Sequence, residues 1–166
     1  MQMQREIHAV IGVRRAGAST FYVKRSNDMA NYPSVWSLLS IQYNPIDVPD
    51  ERDLTAVAPH FKRMSEQRLG GVFVNVKAYL TSGSSDRNPM GVNVTLHLYE
   101  IEFDEEPSLN GRYYTDSAWM TAVEYEECCA GQVCGLCLRL WSDYAWLKGY
   151  TDRPFIPSVS HELVAA

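Results

Sequence analysis

The four cysteines of this chain, Cys128, Cys129, Cys134 and Cys137, crowd into ten residues, and the last two form a C-x-x-C pair. Such a pair can ligate zinc or cycle between thiol and disulfide. A structural zinc site, however, usually gathers its ligands from two separated pairs on turns that wrap the ion. Here one pair is adjacent in sequence and the other is one helical turn apart, so we expect free, metal-free thiols acting as small apolar fillers. Acids concentrate elsewhere: Asp47, Asp50, Glu51 and Asp53 precede an amphipathic stretch, and Glu66 lies within it. Acids at a helix start ordinarily cap it and form solvated surface. Lys24 and Arg25 end a β-patterned run, where they could contact a phosphate or close an exposed strand end. Tyr32 and Trp36 offer faces that could stack on a base, with core packing the competing role for Trp36. Glu100 and Glu102 share one strand face, and His60 and His97 have no ligand spacing with each other or with cysteine; surface and packing roles suffice for them. There is no Ser–His–Asp signature and no phosphate-binding glycine loop.

The elements that must position these residues follow from period and punctuation. Ile7–Arg15 and Thr20–Arg25 read as a hairpin, with Gly17 in the turn. Val35–Gln42 reads as a short strand, followed by a loop with Pro45 and Pro49. Leu54, Val57, Ala58, Phe61 and Met64 then recur at helical spacing. This helix, Asp53 to Leu69, has an acid to cap its start and Gly70-Gly71 to stop it. Pro59 requires that it kink or begin close by. Val72–Leu80 and Val92–Phe103 read as strands joined by a polar loop, 81–89, and Val92, Val94, Leu96 and Leu98 share one strand face. Ser117–Ala122 is a further short strand, Glu124–Cys129 a helical turn, and about Val133–Leu147 a second helix. Mixed strands with two unequally placed helices predict an α+β sandwich rather than a βαβ array.

This order of parts resembles the Nudix superfamily, whose members mostly hydrolyse nucleoside diphosphates linked to another group. The resemblance rests on the two β-patterned runs, on Tyr32-Pro33-Ser34-Val35-Trp36-Ser37-Leu38, on the Asp53–Leu69 helix closed by Gly70-Gly71, and on Ala118–Tyr125 downstream. It implies a Nudix-like mixed β-sheet sandwich flanked by helices, occupying residues 1–150; the tail 151–166, with two prolines and little periodicity, is expected to be partly flexible. Active members resemble one another in a box, G-x5-E-x7-R-E-U-x-E-E-x-G-U with U bulky and apolar, whose helical glutamates converge on Mg2+. The metals bind the diphosphate and help form an attacking hydroxide. With the last box glycine at Gly70, Arg63 matches the arginine, Met64 replaces the first glutamate, and Gln67 and Arg68 replace the E-E pair. Shifted by one residue, Lys62 and Arg63 stand for R-E, Met64 takes the apolar position, and Glu66 and Gln67 stand for E-E. Neither register keeps more than one helix carboxylate. The glycines that usually follow the tryptophan are absent after Trp36.

Two functional expectations result. The first is a non-hydrolytic binding or regulatory module for a nucleotide-like diphosphate or a protein partner, with Lys24, Arg25, Tyr32, Trp36 and Arg63 against the ligand. The second is a divergent hydrolase that uses Mg2+ held by Glu66, Asp50 and Glu51, joined by Asp47 and Asp53, with Glu66 catalytic. The chain of 166 residues suits one domain, and its net charge of -5 argues against a bulk nucleic-acid partner. No segment approaches the ~20 apolar residues of a membrane span, and the N-terminus lacks signal-peptide order, so the expected address is cytoplasmic. A homodimer is an admissible assembly.

Overall fold

A computed structural model describes residues 6–85, 91–133 and 135–156. Its spine is β1 (Glu6–Val13), paired antiparallel with β5 (Leu39–Gln42) and parallel with β7 (Asn93–Glu102). With β6 (Asn75–Ser85) they form a mixed sheet in the order β5-β1-β7-β6. A second, antiparallel sheet is built on β3 (Ser19–Arg25), which pairs β2 (Arg15–Ala16), β4 (Trp36–Ser37) and β8 (Tyr114–Met120).

Helix α1 (Leu54–Arg68) covers one face of the mixed sheet and α3 (Leu136–Leu147) the other; α2 (Ala122–Cys128) follows β8. Alternation along the strands sorts the core accordingly. Ile7, Ile11, Val94, Leu96 and Leu98 pack with Leu138 and Trp141 of α3, whereas Val10, Tyr99 and Ile101 pack with Val57, Phe61 and Met64 of α1. Gly12 lets α1 approach: a Cβ there would lie 2.6 Å from Ile101 Cδ1 and 3.0 Å from a Phe61 ring carbon.

The helix read over Asp53–Leu69 is present. Asp53 caps it, accepting from the Thr55 N–H (3.1 Å) and hydroxyl (2.6 Å). Gly70 and Gly71, at φ +75° and +82°, turn the chain out of it, as residues without Cβ can. Pro59 sits in the second turn, so the helix begins well before it and forgoes one backbone bond.

Several boundaries differ from the sequence expectation. The first hairpin is β2–β3 alone, since the chain leaves the mixed sheet at Arg14 and β1 pairs elsewhere. Val35–Gln42 is not one strand: β4 and β5 flank a buried Leu38 and belong to different sheets. Residues 81–85, expected in a loop, continue β6, paired to β7 through two register shifts; polar composition did not outweigh ladder pairing. The strand expected to start at Ser117 begins at Tyr114. The helix expected from Val133 starts at Leu136 after Gly135. Of the 151–166 tail, Phe155 and Ile156 are buried, their N–H groups held by Ser142 Oγ at 2.8 and 2.9 Å; 157–166 lie outside the described residues. No helix among the described residues is long and apolar enough to cross a membrane.

Candidate functional site

A cleft of about 250 Å3 opens on the α3 face of the mixed sheet. Its floor is β1 and β7, through Ile7, Ala9, Ile11, Val94 and Leu96; its walls include the loop after β3, the start of α3 and the last turn of α1. Two guanidinium groups line it, those of Arg25 and Arg68.

Arg25 is delivered by the end of β3 and is only 9% exposed. Its Nε donates to the Asn31 carbonyl (3.0 Å), so the loop wraps the side chain. That loop holds Tyr32 and Ser34 at φ +47° and +61°, a region that L-residues seldom adopt and that stores strain in the backbone. Burial lowers the affinity of Arg25 for its proton, an effect opposed by Tyr114 and enhanced by Arg68; an arginine nonetheless stays charged.

Arg68 arrives from the other side. Its guanidinium lies over the Tyr113 ring, 4.6 Å from the centroid, and its Nη1 donates to the Tyr114 hydroxyl (3.2 Å). That hydroxyl also accepts from the Ser40 N–H (3.2 Å), joining α1, β5 and β8 at this end of the cleft. Among the described residues neither arginine has a carboxylate within salt-bridge distance, and no Asp or Glu lines the cleft.

The start of α3 adds a third positive pole. Gly135 is its N-cap and supplies no side-chain cap, while Gly135, Leu136, Cys137 and Leu138 all line the cleft. Unpaired N–H groups at a helix start favour an anion, and the buried Arg25 beside them points to the same chemistry. Tyr32 packs here: a Cβ on Gly135 would lie 3.1 Å from its ring. Cys137 Sγ is 3.4 Å from Ser37 Oγ, and burial raises the thiol above its ordinary range, so it is not poised as a thiolate. Cys128 is exposed and Cys129 buried at the end of α2; Cys134 lies outside the described residues, and so does the C-x-x-C reading.

The other expected site residues are dispersed. Tyr32 and Arg25 reach the cleft; Lys24, Trp36 and Arg63 do not line it. Trp36 packs against the α3-side core, and its backbone is clamped by Gln132 and Tyr125. Arg63 ties α1 to the end of β5, donating to the Gln42 carbonyl at 2.8 Å. Lys24 is half-buried on β3, opposite Trp36 and Asp116. Glu102 pairs with Lys77 at 3.4 Å.

The set expected to hold Mg2+ does not come together. Glu66 faces solvent beside Lys62, 4.0 Å away. Asp53 caps the helix start, Asp50 accepts from the Arg52 N–H, and Glu51 and Asp47 lie on the same approach. From Asp53 to Glu66 the helix rises roughly 20 Å, too far for carboxylates at its two ends to share an ion. Among the described residues no three His, Cys, Asp or Glu side chains are grouped to hold a metal. The residues present therefore do not fit the two-metal role that the resemblance implies.

Arg68, in the last turn of α1, reaches the cleft. Sequence reasoning had not placed Arg68 in the ligand set. Its spacing of four from the buried Met64, in the last turn before Gly70, is the signal that could have found it.

No protein-family model and no curated protein matches the chain by sequence. Solved structures do match. A NUDIX hydrolase from Nitrosomonas europaea superposes at TM-score 0.64 with 12% identity, covering 90% of this chain and 93% of that one. The MutT protein from Methanosarcina mazei Go1 gives 0.58 at 12% identity, covering 90% and 96%. A chain of the complex between the C-terminal domain of mouse MUTYH and human PCNA gives 0.55 at 16%, covering 87% and 91%. The chain is a Nudix-fold α+β domain, in accord with the layout of its sequence.

Proposed function

We propose that this Nudix-fold chain is a non-hydrolytic binding module that holds a small phosphorylated ligand without a metal ion. One observation carries the reading: the guanidinium of Arg68, in the last turn of α1, lines the cleft together with that of Arg25. A guanidinium there gives a phosphate oxygen a charge-assisted hydrogen-bond donor and repels the cation on which the hydrolytic chemistry of the family depends. Arg25 is held by Asn31, Arg68 by Tyr113 and Tyr114, so both donors are positioned before the ligand arrives, which lowers the ordering cost of binding. A protein partner is the second reading. It draws on a chain of similar fold belonging to a complex between the C-terminal domain of MUTYH and PCNA.

The test is turnover of ADP-ribose, nucleoside triphosphates and dinucleoside polyphosphates with Mg2+. No phosphate or nucleotide release above background is expected, and Glu66→Gln is expected to change nothing. Robust hydrolysis that disappears with Glu66→Gln, or with Asp50 and Glu51 neutralised, would replace this reading with the divergent hydrolase.

A further inference from the structure

We infer that the body of the ligand is apolar: the cleft is built for a phosphate ester of an aliphatic or aryl group, in preference to a nucleotide. This inference rests on the cleft being the ligand site proposed above and concerns which phosphate compound it takes. The positive groups are all at one end. Arg25 pairs with Tyr114 in the β3–β8 register, and Arg68 bonds the Tyr114 hydroxyl, which holds Ser40 of β5. Ser37 and the start of α3 complete this end through the Cys137 contact. From β5 the cleft runs across β1 and β7 to Ser85 on β6, three strand spacings or roughly 14 Å away.

Between these ends the two central strands present aliphatic side chains alone: Ile7, Ala9, Ile11, Val94 and Leu96, every second residue of each strand. The strand backbones beneath are committed to the parallel ladder. A ribose laid along this floor would bury hydroxyls with no partner, a penalty that a hydrocarbon body escapes while gaining from its own burial. Two carbonyls in the lining at the cationic end are already engaged: the Asn31 carbonyl accepts from Arg25, and the Gln42 carbonyl accepts from Arg63. The cleft thus combines a cationic head site with an apolar trough.

Calorimetric titration of the whole chain, in EDTA and without divalent cations, compares n-octyl phosphate below its micellar concentration with AMP and inorganic phosphate. The expected result is octyl phosphate at least tenfold tighter than either of the others, with binding lost in Arg68→Ala. Val94→Thr, nearly isosteric, is expected to weaken octyl phosphate several-fold and to leave inorganic phosphate unchanged. AMP binding as tightly as octyl phosphate, and still requiring Arg68, would overturn the apolar-body inference while leaving the cleft reading in place. Octyl phosphate binding undiminished in Arg68→Ala would also overturn the inference. No binding of any of the three would remove both.

Discussion

Arg68 and Glu66 stand two residues apart on one helix and have opposite fates. Glu66 is solvated beside Lys62, where an exposed ion pair contributes little. Arg68 is half-buried between aromatic rings at the mouth of the cationic end. Reversing its charge therefore tests the site without emptying the core. Arg68→Glu is expected to weaken pyrophosphate binding by one to two orders of magnitude, about 1.5–3 kcal/mol for a lost charge-assisted bond. Arg63→Ala removes a guanidinium that does not itself line the cleft but serves the Gln42 carbonyl, and is expected to leave that affinity within about twofold, roughly 0.4 kcal/mol. Equal losses in the two variants, read by calorimetry, would move the anion site out of the cleft.

At the scale of elements, α1 is held by a small set of close contacts. Phe61 is fully buried and packs edge-on against Tyr99, with ring centroids 5.8 Å apart. Phe61→Ala should cost roughly 3–5 kcal/mol of stability in urea unfolding; a loss below about 1 kcal/mol would contradict the packing described. Gly12→Ala probes the same contact from the sheet. Its new methyl must displace Ile101 and Phe61, so a loss of about 1–3 kcal/mol is expected from overpacking alone. Because α1 also supplies Arg68, the ligand affinity of Gly12→Ala, measured under conditions where it stays folded, reports whether the sheet sets the position of the cationic end.

The whole molecule carries a pH dependence in its histidines. His8, His60 and His97 surround Tyr43 on the α1 side, with ring centroids 6.2, 5.3 and 6.4 Å from it. Ser82 bonds His97 Nδ1, and Tyr79 bonds Ser82. Burial lowers the pKa of His97, with Glu51 opposing and His8 adding to the shift. Burial and Arg63 lower that of His60, with Asp47 opposing. An unfolded chain, with ordinary values near 6.5, therefore binds more protons than the folded one in mildly acid solution. Their contribution to stability is complete above about pH 6.5 and is lost as the pH falls through the lowered folded values. Urea midpoints are expected to drop between pH 7.5 and 5, and His97→Gln to flatten that drop. An unchanged slope in His97→Gln would remove His97 from the linkage.

The sequence by itself determined the elements whose signals are local. A capping acid, a 3.6-residue apolar period and a paired glycine stop fixed α1 from Asp53 to Leu69, because each acts within a few residues. The alternation of Val92, Val94, Leu96 and Leu98 likewise identified one face of β7. Only the tertiary structure decided which sheet each short strand joins, since β1 and β3, or β4 and β5, differ by pairings to distant segments. The site was decided at the same level. Arg25 was legible as the basic end of a strand, but its convergence with Arg68 and the start of α3 joins residues 43 and about 67 positions apart in the chain. No local period encodes that meeting. It arises because long-range pairing and packing bring the end of β3, the last turn of α1 and the start of α3 to one cleft.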